Sequence, residues 1–122
     1  MTHNELAQRI ETAEGPDRAL DAEIAAAVGW RVLYDKSDPN DAEPYYQPVP
    51  EMSWQTVPRY TGSLDAAMQL VPAGHNWAID TGHKNGISAW CFDGHLWNTD
   101  ASVAATPALA LCAAAIRARS AS

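Results

Sequence analysis

The chain opens with two helical hydrophobic stripes and moves to a strand-like alternation at residue 30. Residues 4–13, "NELAQRIETA", place Leu6, Ile10 and Ala13 on one stripe of a helix. Gly15-Pro16 punctuates, and "PDRALDAEIAAAVG" predicts a second helix. In it Pro16 suits the first turn, Asp17 complements the dipole and Gly29 follows the last turn. Its buried stripe is Leu20, Ile24 and Ala27/Val28. "WRVLYD", 30–35, alternates as a short strand with Trp30, Val32 and Tyr34 on one face.

The pattern then breaks. Residues 36–53 mix Asp38, Asp41, Glu43 and Glu51 with four prolines around Tyr45-Tyr46. They read as a long irregular loop, a kind of segment that is often functional. Ser63 is the expected N-cap of a short helix over Leu64–Leu70, stopped by Pro72. In "TPALALCAAAIRARS", Thr106 caps, Pro107 is the first helical residue, and Arg117 and Arg119 sit at the favourable end of the dipole. Leu109, Cys112 and Ile116 form its face, with Leu111 and Ala115 beside it. This helix is apolar nearly all round and is expected to be buried.

"HNWAIDTGHKNGISAWCFDGHLWN", 75–98, contains two hairpin signals, Asn85-Gly86 and Asp93-Gly94. Together they predict an antiparallel meander over 76–81, 87–92 and 95–98, covered by the helices at 107–118 and 17–28. Two-residue turns fix the register: Ile79 faces Phe92, Trp90 faces Trp97, and Cys91 faces Leu96. One face then carries Trp77, Ile79, Thr81, His83, Trp90, Phe92, His95 and Trp97. The other carries Ala78, Asp80, Ala89, Cys91 and Leu96. A sheet apolar on both faces needs cover on both sides, so the expected fold is α+β: an antiparallel sheet of three or four strands sandwiched between helices, in one domain over 1–122.

Three of the four histidines lie in this stretch, which raises a metal site. In the expected register His83 and His95 are ~13 Å apart along the strands, and His75 lies beyond the opposite end. Such ligands do not converge, so no metal and no other cofactor is expected. Cys91 and His95 fall on opposite faces, which argues against a nucleophile pair. Cys91 and Cys112 sit in apolar settings and are expected to be buried and inert. The Trp90–Trp97 pair is either packing beneath a helix or a stacking platform for a flat ligand.

Composition narrows the function. The formal net charge is −7, from 15 acidic and 8 basic residues with no basic cluster, so direct nucleic-acid binding is not expected. No apolar run spans a bilayer, and the polar N-terminus is no secretory signal, so no membrane partner and a cytoplasmic location are expected.

"GPDRALDAEIAAAVGW", "VPRYTGSLDAAMQLVPAG" followed by Trp77, and "ATPALALCAAAIRAR" resemble, in this order, the phage ABA-sandwich domain family of small phage and prophage proteins. The resemblance covers nearly the whole chain apart from the 35–53 loop. It implies an α–β–α sandwich in the cytoplasm of a bacterial host and transfers no catalytic residue.

These readings favour a non-enzymatic accessory protein that binds a protein or a small signalling ligand, with a counter-defence role among the options. Its expected binding residues are Tyr45, Tyr46, Trp54, Trp90, Trp97 and His83. Two alternatives stay open: a small hydrolase using Asp80, Asp93, His83, His95 or Asp100, and an assembly component that acts as a homo-oligomer through the sheet edge or an Ala-rich helix.

Overall fold

The computed structural model describes residues 2–29, 31–34, 44–47, 55–82, 86–92 and 101–120; for Arg31, Leu33, Tyr34, Pro44–Gln47 and Ser120 it describes the backbone alone. In chain order the elements are α1 (His3–Thr12), α2 (Arg18–Ala27), β1 (Arg31–Tyr34), β2 (Pro44–Gln47), β3 (Gln55–Thr56), α3 (Leu64–Met68), β4 (Asn76–Asp80), β5 (Ile87–Phe92), β6 (Ser102–Ala104) and α4 (Pro107–Ser120). The fold is α+β. The strands form two antiparallel three-stranded sheets, ordered β1-β2-β3 and β4-β5-β6.

α4 is the hub. Residues 108–116 are all buried, as its nearly all-round apolar sequence requires. Six alanines in this helix, five of them in that stretch, allow close approach, and α4 packs against α1, α3, β4, β5 and β6. Thr106 Oγ1 accepts the Leu109 amide at 3.2 Å, which fixes the helix start just ahead of Pro107. α1 lays Leu6, Ala7 and Ile10 into the core. α2 packs on β1 and β2, so the helix expected over the meander lies chiefly on the first sheet.

Several helix ends follow the sequence. Ser63 Oγ accepts the Ala66 amide at 3.4 Å, and Gly29 takes the left-handed φ of +95° after α2. The start of α2 differs by two residues. Asp17 is the N-cap, with Oδ1 accepting the Ala19 and Leu20 amides, so Pro16 stands outside the helix.

The 36–53 segment is not loop throughout, because β2 lies inside it and is the central strand of the first sheet. Pro44 can occupy the first position of a strand, and Tyr45-Tyr46 supplies β-propensity. A four-residue strand that begins on one proline and is followed by another is too short a run to stand out.

The register of the second sheet also differs from expectation. Ile79 stands opposite Ala89, three residues short of Phe92. Asp80 Oδ1 accepts the Gly82 amide at 2.8 Å, an Asx-type turn that ends β4 early and lengthens the connection to β5. Gly86 has another use. At φ +139° it lies against β6, where an added Cβ would come within 2.6 Å of the Ala104 carbonyl oxygen. On the far side, a two-residue turn at Asp93-Gly94 would set Ile87 against Asp100, whereas it pairs with Ala104. The third strand is therefore β6; the expected strand 95–98 lies outside the described residues.

An odd-numbered slip exchanges the faces of a strand. Trp77 and Ile79 thus share a face with Cys91 and Ala89, toward α4. Asn76, Ala78 and Asp80 share the outer face with Phe92, Trp90 and Ser88.

A polar clamp ties the segment before α3 to α2. Asp21 is 1% exposed. One of its carboxylate oxygens, Oδ1, accepts from the Thr61 amide and hydroxyl, and the other from Arg18 Nη1 at 2.8 Å. Arg18 Nη2 also donates to the Val57 carbonyl at 2.9 Å. Glu11 pairs with Arg117 and accepts the Val103 amide, which joins α1, α4 and β6.

Candidate functional site

β5 sorts its residues by alternation into two chemically different rows. Ala89 and Cys91 are buried against the α4 side, and Ile87 packs against the same core. Trp90 and Phe92 occupy the outer row and are half-buried. Among the described residues, neither belongs to the core cluster nor to the partly buried hydrophobics packed on it. The register adds Ala78 and Asn76 from β4, opposite Trp90 and Phe92, and Val103 from β6, opposite Ser88. Ser88 is fully buried at the centre of this face. The result is an aromatic patch on the side of the sheet away from the hub helix. Asp80 is the sole charged residue in these three strands.

Three of the six expected binding residues, Trp90, Tyr45 and Tyr46, fall on described strands. Trp90 lies in the outer patch. Tyr45 and Tyr46 are consecutive positions of β2, opposite Leu33 and Val32 respectively. Consecutive positions of a strand alternate between the two faces of its sheet. Trp54, Trp97 and His83 lie outside the described residues, and with them the Trp90–Trp97 pairing. Trp77, expected beside Trp90, is on the other face and is 37% exposed at the sheet margin. Phe92 was correctly grouped with Trp90, because spacing within one strand does not depend on register.

The hydrolase alternative finds no assembled constellation among the described residues. Asp80 is exposed and serves its turn; Asp93, His83, His95 and Asp100 lie outside them. No group of three or more His, Cys, Asp or Glu side chains there could hold a metal ion. The earlier separation of the histidines rested on a register that the structure replaces, so that argument against a metal falls with it.

The cysteines are free and buried. Burial pushes the Cys112 thiol well above its ordinary range, with the charge of Asp21 adding to the effect. Its Sγ lies 3.1 Å from the Tyr60 carbonyl, to which the S–H donates. Burial raises the Cys91 thiol too, and Arg119 opposes that shift. A nucleophilic thiol needs the opposite environment.

No known protein family, curated protein or solved structure matches the chain. Among the described residues no helix is long and apolar enough to cross a membrane.

Proposed function

We propose that the chain is a non-enzymatic binding protein whose contact surface is the outer face of the second sheet, around Trp90 and Phe92. The observation that carries this reading is the exclusion of both rings from the core cluster although they stand on its central strand. Aromatic side chains supply large contact area at small rotamer cost, which suits them to anchor a partner. The net charge of −7 favours a cationic partner and an on-rate that falls as salt rises.

The resemblance to small phage and prophage proteins supports an accessory role in the cytoplasm of a bacterial host. There the bound species is a host or phage protein, or a small signalling ligand.

Native mass spectrometry of protein isolated from such a host tests this reading, since the added mass separates a protein from a small ligand. Trp90→Ala/Phe92→Ala is expected to lose the bound species. It should lower stability by less than the about 2–5 kcal/mol of a Leu109→Ala core truncation. Unchanged recovery of the bound species by the double variant would remove this face from consideration.

A further inference from the structure

β4 is an edge strand of unusual exposure. Among the described residues it pairs with β5 alone. Asn76, Trp77 and Asp80 are exposed, and Ala78 and Ile79 are half-buried. Trp77 and Met68 are the two large apolar side chains most open to solvent among the described residues. A strand edge that is neither capped by a proline nor guarded by a lysine is a template for another strand. "NWAID" contains neither.

We infer that β4 pairs antiparallel with β4 of a second copy of this chain, about a two-fold axis at Ala78, to make a continuous six-stranded sheet. The inference does not rest on the proposed function. Its support is the self-complementarity of the strand. With Ala78 on the axis, all five positions find partners. Trp77 meets Ile79 of the partner subunit, an aromatic–β-branched pair of the kind that stabilises sheets. Asn76 meets Asp80 of the partner subunit, so the acidic residue faces an amide donor instead of its own copy. The relation is isologous, each pair occurring twice.

Neighbouring registers do worse. An axis at Trp77 leaves Ile79 and Asp80 opposite residues 75 and 74, outside the strand. An axis at Ile79 sets Asp80 against Ala78 and leaves Trp77 opposite Thr81.

The faces agree as well. Directly opposed residues of an antiparallel pair share a face. Trp77 and Ile79 belong to the α4 side in both copies, so the two hub helices lie on one side of the joint sheet. The two Trp90–Phe92 patches lie on the other, joined through Ala78. Strands of five residues make a small contact, and like net charges of −7 oppose it. The dimer is therefore weak, forming at roughly micromolar concentration or above, and tightens as salt screens the repulsion.

Sedimentation velocity across a concentration series reads this directly. The wild type is expected to move from monomer to dimer, and high salt to shift the transition to lower concentration. Asn76→Asp sets two carboxylates against each other twice, and dimerisation should weaken about tenfold. Adding Asp80→Asn returns each pair to one acid and one amide at the wild-type net charge, and should restore the wild-type transition. Both positions are exposed, and circular dichroism confirms folding. As a second readout, Ala78→Cys should form a disulfide-linked dimer on mild oxidation, and Asn76→Cys should not. A protein that stays monomeric at a concentration on the order of 0.5 mM would overturn the inference. So would an Asn76→Asp variant that dimerises like the wild type, or a double variant that fails to recover.

Discussion

The hydroxyl of Thr61 lies 2.7 Å from Asp21 Oδ1, and the Thr61 amide donates to the same oxygen at 2.8 Å. One buried carboxylate thus holds a turn that follows it by 40 residues. Arg18 satisfies the other oxygen. A buried acid so supplied adds little net stability over an apolar substitute, but cutting one partner leaves the others unpaired. Asp21→Ala is expected to destabilise the protein by about 3–5 kcal/mol in urea unfolding. A loss below 1 kcal/mol would mean that water replaces the carboxylate there.

Gly86 and Gly15 should respond in opposite ways to alanine. At Gly86 the new Cβ meets the Ala104 carbonyl, and the φ of +139° belongs to a region L-residues rarely adopt. Backbone strain of ~1–3 kcal/mol and overpacking of ~1–3 kcal/mol add to a loss of about 2–6 kcal/mol. At Gly15 nothing lies within 4 Å of the added methyl and the backbone φ is ordinary. Gly15→Ala should be neutral or gain about 0.4–1 kcal/mol through the unfolded chain. Melting midpoints of the two variants provide the comparison.

The buried thiols give an alkaline signature. Folding raises the Cys112 pKa above its ordinary 9.0, so above that pH the unfolded chain loses a proton that the folded one keeps. Stability is fully present below pH 9 and falls as pH rises beyond it, by up to about 1.4 kcal/mol per pH unit per thiol. Cys112→Ala should flatten the slope of unfolding free energy between pH 9 and 10.5. Cys91 contributes in the same direction. If wild type and variant run parallel, the thiol ionises in the folded state.

The helices were legible because each satisfies a local rule: an apolar stripe, a capping side chain, a stopping Gly or Pro. Asp17, Ser63 and Thr106 each cap a helix through their own side chains. The row shared by Trp90 and Phe92 was legible for the same reason, since alternation along one strand is local. The position of Trp77 was not. It depends on how β4 meets β5, and Asp80 decides that by bonding Gly82 instead of leaving Asn85-Gly86 to close a tight turn. β2, β3 and β6 have four, two and three residues. Runs that short carry no period, and only pairing partners distant in the chain define them. The burial of Asp21 is non-local in the same way, because its partner Thr61 sits on another element.

The place of α4 in the chain bears on how the molecule is assembled. Glu11 on the first helix and Arg117 on the last are 106 positions apart, yet they close on each other. Every packed layer of the second sheet leans on α4, which comes after all the strands. A ribosome releases those strands first, with the apolar row of β5 uncovered until residues 107–116 have emerged. The second sheet therefore waits for α4 before it can bury that row, and that interval is when a chaperone would hold the chain or a protease would cut it.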